Sequence, residues 1–331
     1  MFLKRFRQTG PDIVIMIFII SMLLWAGSFL HPHELAAQVS PDRPMPLYYI
    51  LEKLTYLGPF VSVLSAYFLV MLISFLLVNL NTSDLFIGER TFLPGLFYIL
   101  ISGIFISQQT LNPVLPAAIF LIMASRRIMD SYKIMGVAYS FFDAGLLIGL
   151  GSLFYFNFIW FGFLLIIGIA ILRTGNPKEI IISILGLATP LFLIYGFLFI
   201  TGKDLGSLMS DARYNLFGEA DHHIFSTIEI AAIIVTGVVL LISLFKLLPS
   251  LSGKKIKSRK TFNLLIWTLL LSVILYFVSH SASVELIWIA GVPVSYIISH
   301  FFVYARRRFI PEIMFVSLFL VVALVQIFNL I

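Results

Sequence analysis

The chain has no cysteine, and only 11% of its 331 residues are charged. Without thiols there can be no disulfide, no thiolate metal ligand and no cysteine nucleophile. With so little charge the chain cannot cover a soluble globule with solvated surface. It also lacks a phosphate-binding Walker loop, a dinucleotide fingerprint, a kinase signature and the H-E-x-x-H zinc motif. No internal repeat and no low-complexity tract is visible, and the loops between apolar runs are too short to hold a nucleotide-binding domain. What is present is apolar: 60% hydrophobic residues, 33 of them Phe, and a mean hydropathy of +1.04. The fold class this predicts is all-α, a polytopic transmembrane helical bundle forming a single integral membrane domain over residues 1–331.

Apolar runs fall at about 13–30, 55–80, 91–107, 113–125, 134–153, 156–172, 180–200, 226–248, 262–279, 284–304 and 309–330. Most approach the roughly 20 residues that a helix needs to cross a bilayer. The run at 113–125 has 13 residues and reads either as a span or as half of a short helical hairpin over 91–125. The first run follows "MFLKRFRQTGPD" and is longer than a signal-peptide core, so it reads as an uncleaved first helix despite the weak cleavage pattern "ELAAQ". Charge then sets the orientation. With a cytoplasmic N-terminus and eleven crossings, the inner loops hold Lys4, Arg5, Arg7, Arg90, Arg126, Arg127, Lys133, Arg173, Lys178, Lys246, Lys254, Lys255, Lys257, Arg259, Lys260 and Arg306 to Arg308. Only Arg43, Lys53, Lys203 and Arg213 remain outside. The expected topology is therefore about 11 helices, N-terminus cytoplasmic and C-terminus periplasmic. The basic loop 248–261 divides the domain into possible sub-bundles 1–247 and 262–331. The net charge of +6 is explained by topology and anionic lipid headgroups, so nucleic acid is not needed as a partner.

Polar residues sort toward the outer side. His31, His33, His222, His223 and His280 lie there, with Glu34, Asp42, Glu52, Asp204, Asp211, Glu219, Asp221 and Glu285. In "FGEADHHIFSTIEIAA" (217–232), Ser226 and Glu229 form the S-x-x-E capping box that starts a helix, which accounts for Glu229 without chemistry. His222 and His223 are adjacent and diverge on a helix, so they make a poor pair of ligands for one metal and no metal site is assigned. The first outer loop, "HPHELAAQVSPDRPMPLYYILEKL", ends in a predicted amphipathic helix with Tyr48 and Tyr49 at headgroup level. Glu34 and Asp42 are its candidate catalytic acids. Asp143 sits in "FFDAGLLIGLGSLFYF", far in sequence from other charge, and reads as an intramembrane carboxylate and a third candidate. Gly145 and Gly149 in the same run predict close helix packing. His300 reads as an interfacial residue near an inner helix end.

"GERTFLPGLFYIL" (88–100), "ASRRI" (124–128), "FFDAGLLIGLGSLFYF" (141–156) and "RTGNPKEIIISILGLATP" (173–190) resemble, in this order, a bacterial family of uncharacterised multi-pass inner-membrane proteins. That resemblance implies a bacterial inner-membrane location and no particular reaction. The architecture of helix, outer loop with acid and interfacial helix, then many short-looped helices is similar to the membrane glycosyltransferases of the C-type fold. This second resemblance implies a polyprenyl-phosphate-linked glycosyl substrate and an outer-loop catalytic acid at Glu34 or Asp42. The chain departs from that family in its short outer loop and in lacking a paired acidic motif and a large soluble domain.

Three functions stay open. The first is an outward-facing enzyme of cell-envelope biogenesis, with Glu34 or Asp42 as base and Arg43, Arg213, His222 and His223 binding substrate. The second is a transporter or flippase built around Asp143, with helices broken at Pro190 and at Gly291/Pro293. The third is a non-catalytic scaffold. Membrane lipids are the expected partners in all three, and the sequence names no cofactor.

Overall fold

The computed structural model describes residues 2–32, 44–132, 138–172, 177–202, 204–218, 223–305 and 309–328. Among them the chain is all-α. Fourteen α-helices follow in order: α1 Phe2–Phe6, α2 Pro11–Leu30, α3 Tyr48–Thr55, α4 Pro59–Asp84, α5 Leu93–Ser102, α6 Val114–Asp130, α7 Ala138–Ser152, α8 Phe163–Leu172, α9 Pro177–Ile200, α10 Leu205–Phe217, α11 Thr227–Ser250, α12 Ile256–Val278, α13 Ile287–Tyr304 and α14 Phe309–Phe328. Seven helical stretches are long and apolar enough to cross a membrane: Pro11–Leu30, Pro59–Asp84, Pro177–Ile200, Thr227–Gly253, Ile256–Val278, Val284–Tyr304 and Phe309–Phe328. The chain is therefore a multi-pass membrane protein whose lipid contact is made by these helices. A helix satisfies its own backbone hydrogen bonds, which lipid cannot do for it.

Burial separates the centre from the rim. In Val284–Tyr304, 83% of the apolar window is buried, against 17% in Pro177–Ile200, so α13 is the axis of the bundle and α9 a peripheral helix facing lipid. Around α13 pack α5, α6, α11 and α12. Phenols tie this centre together through backbone carbonyls: the Tyr98 hydroxyl donates to Trp288 O at 3.1 Å and Tyr296 to Leu77 O at 2.8 Å. The N-terminal segment is part of the same packing. Phe6 stacks near Phe315 and Phe319 of α14, and the Leu3 amide donates to the Glu312 carboxylate.

α7 and α9 pack most closely. A methyl group added to Gly145, Gly149 or Gly186 would collide with the backbone of the facing helix, at Ser183, Leu187 and Phe142 respectively. Small residues are what let two helix backbones approach this far.

Two features differ from the sequence reading. Pro190 and Pro293 lie inside continuous helices, so neither α9 nor α13 is broken there. The break comes elsewhere. The run read as a span over 91–107 is helical only to Ser102, and residues 103–113 cross the interior as irregular chain with one 3-10 turn at Ile106–Gln108. The physical cause is composition: Gly103 follows α5, and Ser107, Gln108, Gln109, Thr110 and Asn112 compete with the helical ladder for hydrogen bonds.

The polar groups gather at two opposite ends. At the basic end, Lys257 Nζ lies 2.7 Å from Asp84 Oδ1 and 3.9 Å from Asp130 Oδ1. There too Lys254 and Tyr304 both donate to Ile87 O, Lys260 to Leu172 O and Arg7 to Ala305 O. At the other end the Leu47 amide donates to Leu153 O, the Tyr48 hydroxyl to Leu111 O, and Ser281 to Leu216 O.

Candidate functional site

The end opposite the basic cluster holds a buried polar assembly built from four separate segments. The short helix α3 lies across it with an inverted amphipathic pattern. Tyr48 and Glu52, one turn apart, are buried, while Tyr49, Ile50 and Lys53 face outward. The Tyr48 hydroxyl reaches Leu111 O at 3.0 Å in the irregular segment. Burial first, then the nearby negative charges of Glu52 and Glu285, push the Tyr48 phenol well above its ordinary range. Glu285 comes from the start of the α13 segment and lies beside the Tyr155 hydroxyl, just past the end of α7. Asn157 Nδ2 lies 3.4 Å from the Tyr155 hydroxyl and donates to Ser281 Oγ at 2.9 Å. Two hydrogen-bonded groups result, Tyr48 with Leu111 and Asn157 with Tyr155 and Ser281, and Glu285 lies close to both.

The floor of this assembly is the 103–113 segment, and its own polar groups are largely paired. Gln109 is fully buried; it accepts from Ser28 and donates to Leu24 O and Ser102 O at 3.3 and 3.2 Å. Asn112 Oδ1 accepts from the amides of Val114 and Leu115, 3.1 Å each, in the first turn of α6. Leu111 N donates to Ser62 Oγ at 3.1 Å. Yet Ser107 Oγ, Gln108 Oε1, Thr110 Oγ1, Asn157 Oδ1 and Trp288 Nε1 are buried with no partner among the described residues. Buried polar atoms are paired in the great majority of cases, so these five stand out.

The residues singled out from the sequence fall in different places. Glu34, Asp42, Arg43 and His222 lie outside the described residues. His223 sits between the Phe105 and Phe225 rings and contacts Glu229 Oε2 at 3.3 Å. Glu229 also closes the capping box: Ser226 N donates to its carboxylate at 2.8 Å and Glu229 N to Ser226 Oγ at 3.3 Å. Arg213 is exposed on α10, as Lys53 is on α3. Asp143 has the partner that a carboxylate in an apolar run requires: it lies at the basic end, 3.6 Å from Arg127 Nε, with its side chain 43% exposed. α6 and α7 form a hairpin, so the partner arrives from 16 positions earlier in the chain. Asp143 and the Glu285 assembly therefore belong to opposite ends. His300, near the basic end, is buried between the Phe262 and Tyr304 rings. No group of three metal-ligating residues occurs among the described residues.

Glu285, Tyr155 and Asn157 were missed as a site. The available signal was a lone glutamate opening an apolar run without a capping partner, and an Asn enclosed by aromatics in "FYFNFIWF". Compared with known proteins, the chain matches no family model, no curated protein and no solved structure.

Proposed function

We propose that this chain is a bacterial inner-membrane protein that crosses the bilayer eleven times, with its N-terminus in the cytoplasm and its C-terminus outside. On this reading it is an outward-facing enzyme acting on a polyprenyl-phosphate-linked substrate in envelope biogenesis. The topology is supported by the gathering of basic side chains at one end of the bundle and by the positive-inside bias of the loops.

The observation that carries the enzymatic reading is the buried Glu285 carboxylate beside the Tyr155 and Tyr48 hydroxyls, at the end away from the basic cluster. A carboxylate has several acceptor sites, which can take the hydroxyl of an incoming substrate. Glu285 is the general base in this reading, taking the proton as the substrate oxygen attacks and the carrier phosphate leaves. The exposed cations Arg213 and Lys53 stand at the same end, where the carrier phosphate of a lipid seated in the outer leaflet would lie. Glu34 and Asp42 remain alternative bases in the first outer loop, and Arg43 and His222 remain candidate substrate contacts. A transporter is the second reading, favoured by the irregular polar segment 103–113 inside the bundle.

The test is turnover by the full-length protein in membranes supplied with a polyprenyl-phosphate-linked donor. Glu285→Gln lowers the rate by about 10²–10⁴-fold, the range for a lost general base. Unchanged turnover removes Glu285 from the chemistry. Substrate accumulating on the inner leaflet, with no bond broken, favours transport.

A further inference from the structure

Two short helices lie across the Glu285 end of the bundle, and both are turned the opposite way from a helix washed by water. On α3 the buried side chains are Tyr48 and Glu52, while Tyr49 and Ile50, and Tyr56 and Leu57 in the turn that follows, are exposed. α10 repeats the inversion. Its half-buried face carries Asp211, Ala212, Asn215 and Leu216, so an acid and an amide point inward. Its exposed face carries Met209, Arg213, Tyr214 and Phe217, with Ser207 and Ser210 nearer its start. Met209 and Phe217 are 76% and 68% exposed. In water the large apolar groups of a surface helix turn toward the core and the polar ones away from it. The reverse order is favourable where the surroundings are lipid.

Contacts at both ends hold α10 at the level where the spans end. α9 stops at Ile200, Gly202 turns the chain with φ at 86°, and Asp204 caps α10 by accepting from Ser207 N at 3.0 Å. The Asp211 carboxylate lies close enough to Tyr195, in the last turns of α9, for its charge to act on the phenol. At the other end, Ser281 Oγ, just past α12, donates to Leu216 O at 2.9 Å, and Asn215 Nδ2 lies 3.6 Å from Met45 Sδ, just ahead of α3. α10 therefore runs from the end of α9 to the end of α12, packed on the 3-10 segment Phe156–Gly162. Trp160 of that segment is partly exposed and stacks on Phe163. With Tyr49, Tyr56 and Tyr214 it gives this end of the bundle the exposed indole and phenols that collect at a headgroup boundary. The lipid-facing surface of α9 ends in exposed Phe197, Phe199 and Ile200, directly before the turn into α10.

We propose that α10 lies in the phospholipid leaflet on the Glu285 side of the bundle, with Met209 and Phe217 below the headgroups. Arg213 stands between them, where its stem lies along the apolar stripe and its guanidinium reaches up to the lipid phosphates. This placement depends on the membrane bundle alone and is independent of the chemistry at Glu285.

The experiment uses the full chain in phospholipid nanodiscs and exploits the absence of native cysteine. Single nitroxide labels are placed at Met209→Cys and Phe217→Cys, with Ile234→Cys on the exposed face of α11 as the lipid control and Lys255→Cys at the basic end as the water control. Power saturation compares collisions with oxygen, which concentrates in lipid, and with a neutral nickel chelate, which stays in water. Both α10 labels are expected to favour oxygen, at a depth of about 5–10 Å, between the two controls. The thermal midpoint of each variant in the same nanodiscs is required to match the parent, and Tyr214→Cys replaces a position that fails this check. Nickel accessibility like that of Lys255→Cys at either position overturns the proposal and leaves α10 in water. Weak collisions with both reagents overturn it as well, and mean that a partner protein or a second copy of the chain covers this face.

Discussion

The Asn157 side-chain amide donates to Ser281 Oγ at 2.9 Å, joining the chain just beyond α7 to the approach to the α13 segment, where the Glu285 carboxylate lies beside the Tyr155 hydroxyl. This contact ties the most central helical stretch of the bundle to the chain that follows α7, and Tyr48 of α3 is close enough to feel the Glu285 charge. A buried carboxylate beside two phenols is suited to accepting a proton from a bound hydroxyl.

Tyr155→Phe separates positioning from chemistry. It leaves the ring packing and removes only the hydroxyl beside Glu285. The expected outcome is a fall in the maximal rate with little change in half-saturating substrate. An unaltered maximal rate contradicts the assignment.

The Arg127–Asp143 pair is a half-exposed ion pair, so it contributes little. Asp143→Asn is expected to cost between 0 and about 1 kcal/mol and to leave function intact in a complementation assay. Complete loss of function with normal protein levels would restore Asp143 as a functional carboxylate and favour the transporter reading.

The α7–α9 contact predicts a large steric effect. Gly149→Leu drives a side chain into the backbone around Leu187 and Pro190. Overpacking of this kind costs typically 1–3 kcal/mol. The expected outcome is a clear drop in thermal midpoint in detergent. Leu substitution at Gly237, which has open space around it, serves as the control and is expected to have almost no effect.

The capping box is a smaller test. Ser226→Ala removes the acceptor for the Glu229 amide and is expected to destabilise by about 1 kcal/mol. Glu229→Gln keeps a cap and frees His223 from a carboxylate, so its effect on stability is expected to be smaller. A Ser226→Ala protein as stable as the parent would show that the α11 terminus is held by packing alone.

Much of the scaffold was legible because the membrane imposes one solution on a long apolar run. The capping box at Ser226 and Glu229, the close approach at Gly145 and Gly149, and the short helix after Pro46 all followed from local chemistry. The break after Ser102 was harder, because residues 91–107 are apolar enough to pass as one span, and only burial of the following Gln and Asn side chains reveals the submerged loop. The partner of Asp143 was not legible for a related reason. Its sequence neighbours are apolar, and Arg127 reaches it only through the hairpin. The Glu285 assembly was not legible at all, since its members come from residues 48, 111, 155, 157, 281 and 285 and meet only in the folded bundle.

The absence of native cysteine makes orientation directly measurable. His280→Cys is exposed at the Glu285 end and Lys255→Cys at the basic end. In intact cells a membrane-impermeant maleimide is expected to label the first and to reach the second only after permeabilisation. The reverse pattern would invert the topology.

The measurement that goes most directly to the outward-facing enzyme is the profile of lipid-linked envelope precursors in cells whose only copy carries Glu285→Gln at normal protein level. The account predicts that a polyprenyl-phosphate-linked precursor builds up and that Glu285→Asp restores part of the flow. A precursor profile indistinguishable from that of the parent would contradict it.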